Sequence, residues 1–219
     1  MMRILFAATL VASTAACGQA AIHEDSSTRS ALLTAGPSTN VNRNAAEVIR
    51  FWQDAGPNLW FAKDAQFDAR FRERFITLHE AAARGALDDW AETAEGSLAL
   101  IILLDQFPRN AFRGTPRMYA TDEAARVIAD TAIRAGHDRA VPPELQLFVY
   151  LPFGHSENLA DQERSVALAA RLGQENLKHA KHHHDIVKRF GRFPHRNQIL
   201  GRTMRPEEQA YLDNGGYKG

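Results

Sequence analysis

The chain has 219 residues, and its 26 Lys and Arg are balanced by 26 Asp and Glu, so the formal net charge at pH 7 is +0. A hydrophobic fraction of 45% and a charged fraction of 24% are ordinary for a globular domain with its own core. The composition therefore excludes a mainly disordered chain. The neutral total gives no reason to expect nucleic acid or an anionic membrane surface as a partner.

The first residues have the pattern of an export signal. A positive start that includes Arg3 is followed by the apolar run Ile4 to Ala12 and by the small residues 13–16. The apolar run is too short for an ordinary transmembrane helix. We predict a signal peptide over residues 1–16 and export to the periplasm, with a buried N-terminal helix as the alternative.

Cys17 is the single cysteine, so the chain has no internal disulfide. It follows Thr14-Ala15-Ala16, and the four residues resemble the cleavage box of bacterial lipoproteins, although Thr14 stands where that box usually has Leu. We predict that Cys17 carries a lipid, which would be the protein's one link to a membrane; ordinary cleavage near Ala16 or Ala20 is the alternative. Residues 17–44 are rich in small and polar side chains and are predicted to be a flexible tether.

Residues 45–219 are predicted to form a single all-α domain, because no segment alternates with a period of two. Helices are expected at about 45–52, 65–84, 98–107, 122–134, 143–151, 159–190 and 206–212, with a short one around Trp90. The run Leu98 to Leu104 is apolar on every side, so its helix should lie at the centre and end at Pro108. Short Gly and Pro turns favour antiparallel neighbours in a bundle or solenoid.

Three motifs resemble the bacterial domain-of-unknown-function family 924. They are Leu98-Ala-Leu-Ile-Ile-Leu-Leu-Asp-Gln-Phe-Pro-Arg-Asn110, Tyr150-Leu-Pro-Phe-Gly-His-Ser-Glu157, and Arg189-Phe-Gly-Arg-Phe-Pro-His-Arg-Asn197 with Leu200-Gly-Arg202. The resemblance covers about Val48 to Asn214. It implies antiparallel helices in a superhelical bundle similar to tetratricopeptide repeats, and it implies no activity.

Two of these motifs echo each other, since Phe107-Pro-Arg-Asn110 and Phe193-Pro-His-Arg-Asn197 both follow a long helix. Guanidinium groups match carboxylate and phosphate geometry, so clustered Arg with His and Asn suits an anionic ligand. Helix capping and ion pairing within the fold are the alternative explanation. The predicted ligand-binding residues are Asp105, Arg109, Asn110, Arg113, His155, Glu157, Arg192, His195, Arg196, Asn197 and Arg202.

A catalytic assignment has weaker support. His155, Ser156 and Glu157 are too close in sequence to converge as a triad, and no serine lies in a nucleophile elbow. Asp105 at the end of an apolar helix is the better acid or base, because burial is expected to raise its pKa. A salt bridge between Asp105 and an Arg of the echo is the competing expectation.

The histidine run invites a metal assignment that the pattern does not support. His179 and His183 have the spacing of two zinc ligands on one helical face, but no third ligand is evident. His183 falls within the apolar arc of its helix and is predicted to be a core histidine bonded to a neighbour. We predict no metal, and no glycine-rich loop indicates a nucleotide cofactor.

The sequence thus predicts an exported helical domain that binds an anionic small molecule or peptide through its Arg, His and Asn turns. The first alternative is an enzyme that uses Asp105 or His195 as acid or base beside the Arg cluster. The second is a scaffold whose groove binds partner helices.

Overall fold

A computed structural model describes residues 37–219, with side chains from Arg43 onwards. The predicted signal peptide, Cys17 and most of the predicted tether lie outside the described residues. The helices are α1 (Pro37–Trp60), α2 (Ala65–Ala83), α3 (Ala94–Ile101), α4 (Phe107–Ala111), α5 (Asp122–Arg134), α6 (Gln146–Gly154), α7 (Leu159–Ala169), α8 (Gln174–Phe190) and α9 (Pro206–Asp213). Residues 37–219 contain no strand, so the prediction of an all-α fold is confirmed.

The two ends of α1 differ from the sequence prediction in different ways. The helix begins at Pro37, so residues 37–44, which we had assigned to the tether, are helical. At the other end Gly56 has a φ of 66°, which breaks the helix at the predicted stop before Pro57. Only glycine adopts this left-handed conformation without strain.

The apolar run forms the centre of the molecule, as predicted. Residues 98–104 are between 0% and 2% exposed, and α3 packs against α1, α5 and α6. The aromatic side chains Trp52, Phe71 and Phe148 pack around it in the same core. A second, smaller core gathers Ile186, Val187, Phe190 and Phe193 near the C-terminal end of α8.

The prediction that Pro108 ends the central helix is wrong. Residues Ile102–Gln106 form a π-helical segment in which the amide of Phe107 donates to the carbonyl of Ile102, and α4 then continues through Pro108 to Ala111. Pro108 lies in the first turn of α4, where a missing amide proton costs little. The widened turn is what admits proline here, and π-segments inside helices occur frequently at functional sites.

The predicted helix 159–190 is two helices. Gly173 separates α7 from α8 with a φ of 107°, a conformation that L side chains rarely adopt. The two helices pack against each other, and α7 also packs against α6. Among the described residues, no helix has both the length and the apolar character needed to cross a bilayer.

Candidate functional site

A cavity of about 200 Å³ lies where the central helix, the end of α6 and the C-terminal part of the chain meet. Both echo motifs reach it, together with the segment after α1, the helix α8 and Tyr217. One part of its wall is apolar and aromatic, formed by Trp60, Phe61, Met118, Leu151 and Phe193. The rest of the wall includes Arg, His and amide side chains. The cavity is therefore suited to a small molecule that has both an apolar and a polar part.

All the ionised side chains that line the cavity are cations. Arg109, Arg113 and Arg196 contribute guanidinium groups, three histidines contribute imidazoles, and no Asp or Glu is part of the wall. Gln106 and Asn110 add amides. The carboxylate side chains that balance these cations do not line the cavity and approach the guanidinium groups from outside its wall.

Arg109 is fully paired by two of these carboxylates. Its guanidinium binds Asp122 in bidentate fashion at 2.8 and 3.0 Å, and it lies 3.1 Å from Asp105 Oδ1. Burial lowers the pKa of Arg109, but Asp105 and Asp122 outweigh this effect and raise it. Arg113 is likewise paired with Asp68, at 2.8 and 3.0 Å. The expected salt bridge between Asp105 and an Arg of the echo is thus present.

Arg196 is buried with much weaker compensation. It is 7% exposed, its Nη2 donates to the carbonyl of His155 at 2.9 Å, and its nearest carboxylate oxygen, on Asp122, is 3.6 Å away. Its Nε has no hydrogen-bond partner among the described residues. Burial, followed by repulsion from Arg109, lowers the pKa of Arg196, the opposite of the shift at Arg109.

Aromatic rings hold the guanidinium of Arg196 in place. Its central carbon lies 4.5 Å from the ring centroid of Tyr119 and 4.6 Å from that of Phe193. Cation–π contacts at these distances stabilise a buried cation and fix the plane of the fork. An underpaired but rigid Arg is therefore available in the wall of the cavity.

His155 is held by Asp105, fifty positions earlier in the chain. Its Nδ1 lies 2.7 Å from Asp105 Oδ1, while Gln106 donates to the other carboxylate oxygen. The expectation that burial raises the pKa of Asp105 is wrong. Burial does favour the neutral acid, but Arg109 and then His155 outweigh it and lower the pKa to about 2. Asp105 is thus a carboxylate, and the neutral base beside it is His155, whose pKa is lowered by burial and then by Arg109.

Two further histidines border the cavity. His183 Nδ1 is bonded to the carbonyl of Gly154 at 3.2 Å, which confirms the prediction that it is bonded to a neighbour. His195 Nδ1 is buried and has no partner in the described part of the chain. Burial lowers the pKa of each to about 3, with His155 next in importance for His183 and Arg196 next for His195. Both imidazoles are neutral at pH 7, so they bind through lone pairs and N–H groups.

Several predicted site residues lie outside the cavity. Arg192 and Asn197 both bond to the fully buried carboxylate of Glu208, Arg192 at 2.7 and 2.8 Å and Asn197 at 3.1 Å. Arg202 pairs with Glu157 at 2.8 Å, and both line a separate open groove. These contacts stabilise the fold, because Arg192 is paired with Glu208 and Arg202 is paired with Glu157.

The predicted divergence of His155, Ser156 and Glu157 is present in the structure. His155 bonds to Asp105, Ser156 Oγ donates to Asp161 at 2.6 Å, and Glu157 accepts from the amide of Phe193 at 2.8 Å. These three side chains do not form a triad.

Sequence reasoning missed part of the site. Asp122 was read only as the start of a helix, yet it is the carboxylate shared by Arg109 and Arg196. Tyr119, Gln106 and Tyr217 also line the cavity and were not singled out. Gln106 directly follows Asp105 in the first of the three motifs, so its place in the site could have been suspected, whereas Tyr119 and Tyr217 offered no signal.

The histidine run has no metal-site geometry in the described residues. His179 is exposed, whereas His183 faces the cavity. No group of three or more His, Cys, Asp or Glu within this part of the chain could hold an ion.

Comparisons with known proteins agree with the resemblance in the motifs. The family model described as "Bacterial protein of unknown function (DUF924)" matches residues 48–216. The solved structure of a protein of unknown function, ATU0120 from Agrobacterium tumefaciens, is similar, with 58% identity and a TM-score of 0.77. The match covers 79% of this chain and 98% of that one. No curated protein matches the chain.

Proposed function

The chain belongs to the bacterial family of unknown function DUF924, and we propose that its cavity binds a small organic anion, with Arg196 as the seat of the negative group. One observation carries the proposal: the fork of Arg196 is buried at the cavity, its Nε has no partner in the described chain, and no Asp or Glu side chain is part of the wall. A buried cation without full compensation is costly. An anion that binds there removes this cost.

The wall also indicates what kind of anion fits. Carboxylate matches the planar fork of Arg in bidentate geometry. Trp60, Phe61 and Leu151 provide the apolar surface on which the rest of the ligand would pack. A carboxylic acid with an apolar or aromatic body is therefore the preferred class, ahead of inorganic phosphate or an extended peptide.

The experiment is a comparison of two molecules of the same shape. Benzoate carries the charge and benzamide does not, so only benzoate should raise the melting temperature in a saturable way. At a ligand concentration of about 100 times Kd the expected stabilisation is about 2.7 kcal/mol, or roughly 5–10 °C for a chain of this size. Inorganic phosphate is the second probe and should be weaker, because it lacks the apolar body.

Two variants localise the effect. Arg196→Leu should abolish the response to benzoate. Arg70→Leu removes the same charge from an exposed position on α2 and should leave the response intact. Equal responses to benzoate and benzamide, or a full response in Arg196→Leu, would contradict the proposal.

We also propose that this domain acts in the periplasm, attached through a lipid on Cys17. The support is the sequence pattern alone: a positive start, an apolar run, small residues and a single cysteine directly after them. In that setting the cavity would meet ligands from the cell's surroundings.

A further inference from the structure

The pair formed by Asp105 and His155 has a geometry that simple anion binding does not need. Asp105 is 0% exposed and approaches only the Nδ1 edge of the imidazole. A carboxylate acceptor at Nδ1 places the ring proton on that nitrogen, so Nε2 carries the lone pair. The pair thus fixes both the orientation and the tautomer of His155.

The Nε2 edge of His155 is the accessible one. It lies across the ring from Asp105, and the side chain is 15% exposed and borders both the cavity and the open groove. The groove is lined mainly by polar residues such as Glu123, Arg126 and Glu157 and opens to solvent. Water can therefore reach the edge of the imidazole that carries the lone pair.

Neither hydroxyl side chain that lines the groove with His155 is an available nucleophile for this base. Ser156 is the adjacent hydroxyl, but its Oγ donates to Asp161 and lies 3.2 Å from Arg126 Nη1. Burial raises the pKa of Tyr119, so that its phenol stays protonated at neutral pH. Water is the remaining partner with a proton to give.

We propose that His155, oriented by Asp105, is a general base that activates water to hydrolyse a carboxylic ester bound in the cavity. The inference rests on the proposed function, because Arg196 is the group that binds the negative charge. It names the substrate class as a small ester that carries a separate anionic group, and it makes Asp105 a positioning residue.

The steps balance with water as the co-reactant. His155 Nε2 takes a proton from water while the water oxygen bonds to the carbonyl carbon of the ester. The carbonyl oxygen becomes an oxyanion, and Asp105 stabilises the imidazolium that forms on His155. The bond from carbon to the alkoxy oxygen then breaks, and that oxygen takes the proton from Nε2. The products are the carboxylic acid and the alcohol.

The first arm of the test is hydrolysis of mono-4-nitrophenyl succinate, with neutral 4-nitrophenyl acetate for comparison. Wild-type protein should hydrolyse the anionic ester well above the buffer rate and prefer it to the neutral one. His155→Gln should lower kcat/KM by about 100-fold or more, the ordinary contribution of a general base. His179→Gln, an exposed position on α8, is the matched control and should match the wild type.

The second arm examines Asp105 through its effect on His155. Asp105→Asn should lower kcat more than it changes KM, and ¹⁵N spectra should report loss of the fixed Nδ1–H tautomer that the wild type shows. Asp105, Arg109 and Asp122 act on His155 from the central helix and from α5, and Arg196, His183 and His195 are also close enough to interact with it. The wild-type kcat/KM should decline only at pH values below the ordinary pKa of histidine, because burial and Arg109 lower that of His155.

The outcomes separate this inference from the proposed function. Absence of protein-dependent hydrolysis in a protein that binds benzoate overturns the base assignment alone. Unaltered hydrolysis in His155→Gln, or an Nε2–H tautomer in the wild type, overturns it as well. Failure to bind benzoate overturns the proposed function and, with it, the substrate class.

Discussion

His155 Nδ1 lies 2.7 Å from Asp105 Oδ1, and this bond joins the π-helical turn at the centre of the molecule to the residue that directly follows α6. It decides the roles of the two residues. Because Asp105 is also 3.1 Å from Arg109, it is held as a carboxylate, while His155 remains a neutral imidazole with one free nitrogen. Asp105, the acid predicted from the sequence, thus orients His155, and it is His155 that faces the cavity.

Arg109 should be essential to the fold. Its removal leaves Asp105 and Asp122 buried or half-buried without their main cation. We expect Arg109→Leu to lower the free energy of unfolding by about 3–5 kcal/mol, the usual cost of breaking a buried pair. Urea unfolding measures this directly. Arg70→Leu, at an exposed position, should change it by no more than about 0.5 kcal/mol, and equal losses in the two variants would contradict the assignment.

Two adjacent glutamates on α9 offer a sharper comparison. Glu208 is fully buried and pairs with Arg192 and Arg205, whereas the side chain of Glu207 is 54% exposed. Glu208→Gln should cost roughly 3 kcal/mol in chemical unfolding, because two charge-assisted contacts weaken at once. Glu207→Gln should cost no more than about 0.5 kcal/mol. A small loss in Glu208→Gln would show that this network contributes little.

The stability of the domain should fall as the pH drops below about 6.5, the ordinary pKa of histidine. His183 and His195 have folded-state pKa values lowered to about 3, mainly by burial. Between about pH 6.5 and about pH 3, these two histidines bind protons in the unfolded chain but not in the folded one. Each histidine then removes up to about 1.4 kcal/mol of stability per pH unit.

Urea unfolding of the wild type and His195→Gln between pH 7 and pH 5 measures this effect. The variant should lose less stability over the interval than the wild type, because one of the two histidines no longer titrates. If the unfolding free energies of the two proteins fall in parallel as the pH drops, His195 is protonated as easily in the folded chain as in the unfolded one, which would contradict the prediction.

The mature protein is expected to begin at Cys17 with a lipid attached. Intact-mass measurement of the membrane fraction from the native host should give a chain of residues 17–219 plus the mass of the lipid. Cys17→Ser should release the protein from that fraction. An unmodified chain, or one that starts at Ala21, would rule out the lipid.

Helix content and the central position of residues 98–104 could be predicted because periodicity and apolar character report burial directly. The continuation of the helix through Pro108 could not be predicted, because the π-helical segment before Pro108 depends on how the residues around Asp105 pack. The break at Gly173 was missed because a continuous helical pattern runs on either side of it. The superhelical arrangement similar to tetratricopeptide repeats stays a prediction.

Part of the candidate site could also be predicted from local features of the sequence. Arg109, His155, His195 and Arg196 could be selected by residue type and by the echo of their motifs. Whether Arg109 and Arg196 were paired depended on Asp122, whose position is set by how α5 packs. Arg196→Leu should therefore lower the stability by more than a surface substitution does, because Arg196 is 7% exposed and packs between two rings.

The most direct test of the anion site is the Nε–H resonance of Arg196 in ¹H–¹⁵N spectra, assigned by its loss in Arg196→Lys. Because this nitrogen is buried and has no partner within the described residues, its resonance should respond to the negative charge that a carboxylate brings to the same guanidinium group. The account predicts a saturable downfield shift of this resonance with benzoate and none with benzamide. A resonance that stays in place while benzoate binds, or that moves equally with benzamide, would contradict it.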